Sequence, residues 1–479
     1  MTSDAKTISV VGPDRSRAGE PEPEHLGLLL AWSMSEPGRV GEVALLPVGT
    51  DAMLGRGDGD DPTHRVQFVR QRPGANEAAA PLGGLGLSRD QLRVVAREDT
   101  LDVERVGRKP VTLRGVEVDR CTLRPGDVLD VRGQLVLLCV RRPAQIPARR
   151  RFPLEGCGRF GEPDAFGMLG ESPCAWRLRE ELAFAAQAEE HVLVRGESGT
   201  GKELAAQAIH RLSRRNAQPF VARNAATLPP GLIDAELFGH ARNYPNAGMP
   251  DRAGLIGEAN GGVLFLDEIA ELPLELQSHL LRVLDARGEY QRLGDAVSRR
   301  SDFVLVGATN RAVSVLKHDL LARFALRVDV PALRAHVDDV PLFVRHALER
   351  ATRRNPSLVE RFLATVDGVT HVRVDPRLIV QLLGRTFVAN VRELDAVLWR
   401  AISASTGEEV GALAAEDTVA AADAPPKGEP EGEATPERIR AALAEQGGSM
   451  TRAASALGLP SRFALYRLMK KLAMDVRDE

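Results

Sequence analysis

The sequence predicts a multidomain protein: an all-β sandwich first, an α/β domain with a parallel sheet second, and an all-α module last. Between residues 28 and 142, short apolar stretches are separated by Gly, Pro, Asp and Arg, which is typical of an all-β module. Between residues 165 and 403, strand-like apolar runs alternate with helical stretches, as in a parallel α/β sheet. Residues 435–479 have the pattern of a compact helical bundle, so we expect three folded regions in 479 residues.

Two linkers are predicted to separate these regions. Residues 143–164 are rich in Pro and Arg. Residues 404–434 carry eight acidic groups and one lysine without aromatic residues, which predicts a flexible acidic linker. The segment that follows, residues 435–474, carries seven Lys or Arg against two Glu, so the basic part of the chain is its end.

The composition argues against a membrane, secreted or zinc-binding protein. Hydrophobic residues make up 43% and charged residues 27%, which is ordinary for globular proteins. The N-terminus lacks a charged-then-apolar signal pattern, and no apolar run approaches the roughly 18 residues that span a bilayer. Cys121, Cys139, Cys157 and Cys174 form no CxxC pair, which indicates unpaired thiols in a reducing compartment. We therefore expect a cytoplasmic protein with no membrane partner.

A glycine-rich loop with a lysine stands between a predicted strand and a predicted helix in "VLVRGESGTGKELAAQAIHRL". Its GxxxxGK spacing predicts a P-loop, in which backbone amides face phosphate oxygens and the lysine supplies a positive charge. Glu203 stands where the generic pattern has the Ser or Thr that binds magnesium. The residues predicted to hold the nucleotide here are Gly196, Glu197, Ser198, Gly199, Thr200, Gly201, Lys202 and Glu203.

Two further strand ends carry polar groups that suit a metal-bound nucleotide. "GGVLFLDEI" ends in Asp267, which can hold the Mg²⁺ shell, and Glu268, which can polarise the attacking water. "FVLVGATN" ends in Thr309 and Asn310, which can sense a γ-phosphate or simply end a strand. Spacing alone leaves Arg323 and Arg392 open between a catalytic role and the protein surface.

Five segments together resemble the central AAA+ domain of bacterial enhancer-binding proteins, the NtrC-like activators of sigma-54 RNA polymerase. The likeness runs from residue 168 to about 402, with a helical subdomain from about 335, and GESGTGKE is the usual P-loop form in that family. The segments are "MLGESPCAWRL", "VLVRGESGTGKELAAQAIH", "PFVARNAATLPPGLIDAELFGH", "ANGGVLFLDEIAELPLELQSHLLRVLD" and "ANVRELDAV".

The resemblance implies roles for four more positions and a hydrolytic activity on ATP with Mg²⁺. Asn224 would couple Glu268 to the nucleotide state, and Asn310 would be the sensor on the third strand. Arg323 would be an arginine finger that reaches the neighbouring subunit's site, and Arg392 the sensor of the helical subdomain. A finger given to a neighbour requires a ring, so the resemblance implies a hexamer.

The chain departs from the family at the loop that contacts sigma-54. The family carries GAFTGA there, whereas the aligned residues are Asn243, Tyr244, Pro245, Asn246, Ala247 and Gly248. Proline fixes one φ angle and the first glycine is replaced, so the loop differs in both flexibility and chemistry. Lys317 replaces a first arginine finger and cannot offer a bidentate fork. Contact with the sigma-54 RNA polymerase holoenzyme is therefore an open question.

The N-terminal region resembles a forkhead-associated domain, a sandwich that reads phosphothreonine. The carrying stretches are "AMLGRGDGDDPTHRVQF", "LGLSRDQLRVVARE" and "TLRPGDVLDVRGQLVLLCV". The resemblance places the phosphate on Arg56, Ser88 and Arg89, after Gly55, and arginine suits that ligand through paired charged hydrogen bonds. Gln91 replaces the family's histidine, and Arg114 takes the place of its asparagine. The alternative is a protein-interaction or autoinhibitory module.

The C-terminal stretch "SMTRAASALGLPSRFALYRLMKKL" predicts two helices joined by a turn at Gly458, and it resembles a Fis-type helix-turn-helix. Such a module would bind an upstream activating sequence, with phosphate contacts from lysines and base contacts from the second helix. The predicted DNA-binding residues are Ser461, Arg462, Tyr466, Arg467, Lys470 and Lys471.

Taken together, these features predict an ATP-dependent transcriptional regulator that binds upstream DNA and acts on sigma-54 polymerase. Two alternatives stay open. One is a divergent member that has lost the sigma-54 contact and uses ATP to control its assembly on DNA. The other is a scaffold that binds ATP with little turnover.

Overall fold

The computed structural model describes residues 23–57, 64–229, 231–285, 288–366 and 368–414, together with residues 439, 440 and 469. The chain divides into two compact units, Met1–Ala414 and Ala415–Glu479, and all the described β-sheets lie in the first. The six predicted DNA-binding residues and most of the predicted acidic linker lie outside the described residues. No helix in the described ranges has both the length and the apolar character that crossing a bilayer requires.

The N-terminal region is a sandwich of two antiparallel sheets, with twelve strands among its described residues. One sheet has the order β5-β4-β2-β1-β12-β11-β8-β9 and the other β10-β7-β6-β3. The strands are β1 (Glu24–Ser33), β2 (Val43–Leu46), β3 (Asp51–Leu54), β4 (Val69–Arg72), β5 (Ala75–Ala78), β6 (Leu92–Ala96), β7 (Leu101–Arg105), β8 (Val111–Leu113), β9 (Val116–Glu117), β10 (Arg120–Leu123), β11 (Val128–Val131) and β12 (Leu135–Pro143).

The paired strands β1 and β12 at the centre of the larger sheet are buried on both faces. Alternate residues of β1, such as Leu28 and Leu30, enter the core between the two sheets. Leu29 and Ala31 point the other way and join a second core, formed with helices of the C-terminal part of this unit. Strands buried on both faces read as continuous apolar runs, which is the pattern of "LGLLLAW" in β1.

The middle region is a three-layer α/β domain with a five-stranded parallel sheet, as predicted. Its sheet order is β14-β15-β18-β13-β19, so β13 lies between β18 and β19. The sheet strands are β13 (Val192–Arg195), β14 (Phe220–Asn224), β15 (Val263–Asp267), β18 (Val304–Thr309) and β19 (Leu326–Asp329). A separate hairpin is formed by β16 (Glu289–Gln291) and β17 (Ser298–Arg300). The helices are α1 (Pro173–Ala188), α2 (Lys202–Leu212), α3 (Ile233–Phe238), α4 (Gly254–Glu258), α5 (Leu274–Asp285) and α6 (His318–Arg323).

A small subdomain of helices follows, with one hairpin inserted in it. The helices are α7 (Val340–Arg354), α8 (Pro356–Val359), α9 (Pro376–Leu383) and α10 (Asn390–Ala404), and the hairpin is formed by β20 (Leu363–Val366) and β21 (Val369–Val372). Helix α9 packs on β1, β11 and β12 of the sandwich. After α10, Val410 is fully buried and the Leu413 amide donates to the Gln381 side chain, so the chain stays packed on this subdomain as far as Leu413.

The segment between the sandwich and α1, predicted as a linker over 143–164, lies against the α/β domain. Ile146 and Phe152 are buried in the same core as the α1 residue Trp176. Glu180 of α1 accepts hydrogen bonds from the backbone amides of residues 150–152. The sandwich is therefore joined to the α/β domain by packed chain in the described structure.

Candidate functional site

The P-loop follows β13 and ends in the first turn of α2. Gly199 and Gly201 have φ values of 77° and 96°, which only glycine adopts without strain. A Cβ on Gly199 would lie 2.1 Å from the backbone oxygen of Ala389, so the loop touches the helical subdomain directly. The Lys202 ammonium donates to the carbonyl oxygens of Gly196 and Glu197 at 3.0 and 3.1 Å. The loop therefore runs from a strand to a helix with its glycines in the left-handed region, and its role as a phosphate cradle stays a prediction.

Two carboxylates lie at the carboxyl end of β15, which is separated from the P-loop strand β13 by β18. Asp267 Oδ1 accepts the Glu268 backbone amide at 3.0 Å, and Glu268 adopts a left-handed φ of 50°. Asn224 ends the adjacent strand β14 and is paired in register with Asp267. Its side chain accepts the Ala226 amide at 2.9 Å. Three of the predicted catalytic residues therefore line one cleft.

The end of β18 contributes a backbone link to this cleft. The Asn310 amide donates to Glu268 Oε2 at 3.4 Å, which joins the third predicted strand to the second carboxylate. Thr309 is almost fully buried, and its side chain accepts the Arg311 amide at 3.0 Å. In this structure the hydroxyl of Thr309 thus supports the turn, while Asn310 is the exposed residue of the pair.

A polar clamp ties the P-loop to the helical subdomain, and the sequence reasoning identified only part of it. Arg392, predicted as the sensor of the helical subdomain, donates to Ser198 Oγ of the P-loop at 3.1 Å. Arg334 makes a two-pronged contact with the Glu197 carboxylate at 2.5 and 2.7 Å. The Arg334 hydrogen bonds hold the pKa of Glu197 below its usual value. The clamp therefore fixes the subdomain to the loop that carries the phosphate site.

Asn390 is the centre of this clamp and was missed in the sequence. It is fully buried, with a left-handed φ of 52°. Its amide nitrogen donates to Glu197 Oε2 at 3.2 Å and to the Ser198 carbonyl at 3.0 Å, and its oxygen accepts the Leu333 amide at 2.7 Å. Asn tolerates left-handed backbone better than most residues, so Asn at the start of α10 in "ANVREL" was an available signal.

The cleft between the α/β domain and the helical subdomain has a volume of about 530 Å³. Its walls carry both a basic and an acidic side: Lys202 and Arg392 face Asp267 and Glu268. A nucleoside triphosphate with a hard cation matches these groups. The basic side chains suit its phosphates, and carboxylate oxygens are the ligands that Mg²⁺ prefers. Asp267 would hold the cation. Glu203, at the position of the usual hydroxyl ligand, is exposed and accepts a hydrogen bond from Gln207 at 3.3 Å.

Arg323 and Lys317 lie elsewhere in the α/β domain. The residues that line the cleft, all from the described part of the chain, do not include either of them. Arg323 ends α6, is about half exposed and forms an ion pair with Asp285. Lys317 precedes α6 and its ammonium contacts the Ser278 hydroxyl. An exposed arginine away from its own chain's cleft is placed where a neighbouring chain could meet it.

Residues 243–248 form a closed, exposed loop whose two ends are pinned together. His240 pairs with Arg252 across the neck, and the Asn243 amide donates to the Met249 carbonyl at 2.9 Å. Tyr244 lies against Gly294, at the turn between β16 and β17, and remains 39% exposed. The loop therefore presents one partly free aromatic ring beside the hairpin turn.

The sandwich brings its predicted phosphate-binding residues to one end. A Cβ on Gly55 would lie 1.8 Å from the Arg89 carbonyl oxygen, so these two loops are in direct contact. The Arg56 amide donates to the Ser88 carbonyl at 2.9 Å. Gln91, in place of the family's histidine, is fully buried and bonds to the backbone of Lys109 through both ends of its amide.

Arg114 lies in a different part of the sandwich. It occupies the two-residue turn between β8 and β9 with a left-handed φ of 52°. Its guanidinium donates to Asp127 Oδ1 at 2.8 Å. The structure therefore gives Arg114 a partner of its own, in a turn whose backbone normally favours Asn or Gly.

Comparison with known proteins agrees with this geometry. A family model described as the Sigma-54 interaction domain matches residues 168–330. The transcriptional regulatory protein ZraR of Salmonella typhimurium is 35% identical over 318 residues, which cover 64% of this chain and 69% of that protein. The DNA-binding transcriptional regulator NtrC of Bradyrhizobium sp. is 36% identical over 242 residues, or 49% of this chain and 48% of that protein. The crystal structure of NtrX from Brucella abortus in complex with ADP aligns over 64% of this chain and 70% of its own at 28% identity, with a TM-score of 0.45. The match to ZraR at 35% identity over 69% of its length, together with the Sigma-54 interaction domain, leads to one conclusion: the chain belongs to the sigma-54-dependent, enhancer-binding family of transcriptional regulators.

Proposed function

We propose that the protein is a ring-forming ATPase that regulates transcription by acting on sigma-54 RNA polymerase. The observation that carries this proposal is the convergence of Lys202, Asp267, Glu268 and Arg392 on one cleft of nucleotide size. Lysine and arginine suit the phosphates, and Asp267 suits the Mg²⁺ that accompanies them. Glu268 is then the group that accepts a proton from the attacking water. The scaffold alternative leaves this paired arrangement of carboxylates without a use.

The ring is part of the same proposal, because Arg323, the predicted arginine finger, is not among the described residues that line its own chain's cleft. Arg323 is exposed at the end of α6, where a second copy can receive it. A guanidinium placed against the γ-phosphate stabilises the charge that develops during transfer. The site of one subunit would then be complete only when the next subunit is in place, and the ring would be the hydrolysing form. We propose a hexamer as the closed form.

The proposed contact with sigma-54 is the exposed loop of residues 243–248. Its Tyr244 ring lies beside the turn of the β16–β17 hairpin, so loop and hairpin form one surface. The loop follows α3, and His240 at its neck pairs with both Arg252 and Leu293. A movement of α3 or of the hairpin would therefore also move the Tyr244 ring. The loop would transmit this movement without the family's GAFTGA residues.

Capture of sigma-54 by the full chain tests this contact. Purified protein is trapped with ADP, Mg²⁺ and a metal fluoride, and binding of purified sigma-54 is compared with that of untrapped protein. We expect capture only in the trapped state, and loss of capture in Tyr244→Ala. Leu358→Ala, which truncates an apolar side chain 55% exposed on the helical subdomain, is the matched control.

Sedimentation of each sample shows whether the ring has formed, and phosphate release shows whether it hydrolyses ATP. If rings form and hydrolyse ATP but capture no sigma-54, the sigma-54 contact is wrong. The ATPase would then control assembly on DNA instead. DNA binding itself is proposed for the six C-terminal residues named from the sequence, which lie beyond the described part of the chain.

For the sandwich, we propose binding of a phosphothreonine peptide at the loops of Arg56, Ser88 and Arg89. The close contact of Gly55 with the Arg89 carbonyl brings these loops together, and Arg108 donates its backbone amide to Ser88 Oγ at 3.1 Å. These backbone contacts place Arg56, Arg89 and Arg108 next to Ser88 at one end of the sandwich, and arginine side chains suit a dianionic phosphate.

Fluorescence anisotropy of labelled threonine peptides, with and without phosphate, tests this binding. We expect the full chain to prefer phosphorylated peptides and Arg56→Ala to lose that preference. Arg93→Ala is the control, since Arg93 pairs with Asp51 on the four-stranded sheet of the sandwich. Equal binding of both peptide forms by the wild type would instead support a protein-interaction or autoinhibitory sandwich.

A further inference from the structure

The sandwich and the helical subdomain share one hydrophobic core. Leu29 and Ala31 of β1 and Val136, Leu138 and Val140 of β12 pack with residues of α7, α9 and α10. Those helices include α10, which carries the clamp residues Asn390 and Arg392 of the nucleotide cleft. The sandwich thus shares a core with the helix that carries part of the polar clamp, and it packs directly on α9 within that core.

A buried arginine crosses this interface. Arg142, near the end of β12, is 1% exposed although it carries a full charge. Its Nη2 and Nε donate to Asp338 Oδ2 at 2.6 and 3.0 Å. Its Nη1 reaches the Glu171 carbonyl at 3.4 Å and Gln71 Oε1 at 3.5 Å. Burial raises the pKa of Asp338, and Arg142 opposes that rise.

Asp338 belongs to a short stretch of chain that reaches the nucleotide cleft. The next residue, Asp339, is fully buried and accepts the Glu171 and Ser172 amides at 2.7 and 3.0 Å. Its other oxygen contacts His336 Nδ1 at 3.1 Å, and His336 lines the cleft. Burial acts to lower the pKa of His336, but Asp339 and Asp338 raise it overall.

The same stretch begins with two residues that are linked to the P-loop, Arg334 directly and Leu333 through Asn390. Leu333 donates its amide to Asn390, and Arg334 grips the Glu197 carboxylate. Residues 333–339 therefore carry P-loop contacts at one end and the Arg142 partner at the other. Two short turns of 3-10 helix, Leu333–Ala335 and Val337–Asp339, connect these ends.

From this arrangement we infer that Arg142 of the sandwich is a positioning residue for the nucleotide site, acting through Asp338 and residues 333–339. This inference rests on the proposed ATPase function. Removing Arg142 leaves Asp338 partly buried beside Asp339 without its counter-charge, and a buried unpaired charge is strongly unfavourable. The turn then shifts to bring Asp338 toward water, and it draws Arg334 away from Glu197 and Leu333 away from Asn390. The sandwich thereby sets how tightly the cleft holds a nucleotide.

The test measures binding of fluorescent ADP to the full chain with Mg²⁺. We expect Arg142→Met to weaken ADP binding by roughly threefold to thirtyfold, the usual range for coupling through intermediate residues. Asp338→Asn in the Arg142→Met background is expected to restore most of the affinity, because the uncompensated carboxylate is gone. Arg142→Lys, which keeps the charge but loses the fork, is expected to fall between Arg142→Met and wild type. Arg93→Met is the matched control, because Arg93 forms an exposed ion pair with Asp51 on the four-stranded sheet of the sandwich. This variant should bind ADP as wild type does.

Thermal unfolding of each variant separates positioning from support of the fold. If Arg142→Met lowers the unfolding midpoint but binds ADP with wild-type affinity, the inference is wrong and Arg142 only holds the sandwich in place. If Arg142→Met does not fold, Arg142→Lys decides: wild-type affinity in Arg142→Lys overturns the inference, and weakened affinity restored by Asp338→Asn supports it. A wild-type chain that binds no ADP would overturn the proposed ATPase function itself, which is a separate result.

Discussion

Glu268→Gln is expected to slow ATP hydrolysis by roughly 10²- to 10⁴-fold, the usual contribution of a positioned general base. Glutamine has nearly the same shape and keeps an oxygen that can accept the Asn310 amide, which Glu268 Oε2 does at 3.4 Å. It cannot take the proton of the attacking water. Nucleotide binding should therefore stay near its wild-type value, and phosphate release together with ADP titration measures both quantities.

The matched control is Glu271→Gln. Glu271 lies in the next turn of the chain and pairs with Arg311 at 2.5 Å, and the described lining of the cleft does not include it. Loss of such an exposed pair costs about 0–1 kcal/mol of stability and should leave hydrolysis unchanged. Wild-type hydrolysis in Glu268→Gln would contradict the role of Glu268. An absence of hydrolysis in the wild type as well would favour the low-turnover scaffold.

Arg323→Ala is expected to reduce hydrolysis by roughly 10³-fold or more, as removal of an arginine finger does. Among the described residues of its own chain, Arg323 forms an ion pair with Asp285, and both side chains are about half exposed. Its removal should therefore change the stability of the single chain little. Arg215→Ala is the control, because it also breaks one arginine–aspartate pair, with Asp302 just before β18, and Arg215 does not line the described cleft.

Mixing the two inactive variants shows which chain uses Arg323. A ring that contains Arg323→Ala and Glu268→Gln subunits has some sites with an intact Glu268 from one chain and an intact Arg323 from the next. We expect such mixtures to regain hydrolysis, measured by phosphate release against the summed rates of the separate variants. No gain in a mixture whose rings are shown to exchange subunits would mean that Arg323 does not serve a neighbouring site.

The parts of the site that the sequence predicted are those in which local spacing determines the geometry. The P-loop follows from its glycines and lysine, and Asp267 and Glu268 follow from a buried strand that ends in acid. Parallel strands place their carboxyl ends at one edge of a sheet, so these groups had to meet once the sheet was recognised. No such rule connects Arg334 to Glu197, which are 137 residues apart in sequence, or Asn390 to Glu197, which are 193 apart.

The packing of the sandwich on the ATPase region could also be predicted from the sequence only in part. The two sheets followed from the spacing of apolar stretches and turns. The continuous apolar runs in β1 and β12 carried a further signal, since a strand with one wet face alternates apolar and polar residues. The element that covers the second face could not be deduced, because the covering helix α9 lies far along the chain. Likewise, Ile146 and Phe152 in an Arg- and Pro-rich segment pack against α1 in a way that composition does not reveal.

The two-sided burial of β1 and β12 has a consequence for synthesis on the ribosome. Strand β12 ends at Pro143, whereas the helix that covers its outer face, α9, begins at Pro376. About 230 residues must emerge in between, which takes on the order of 10 to 50 s at about 5–20 residues per second. During that interval the nascent sandwich carries a bare apolar sheet face. The order of synthesis therefore leaves the first-made domain incomplete until α9 has emerged. During that interval we expect a chaperone to bind this face.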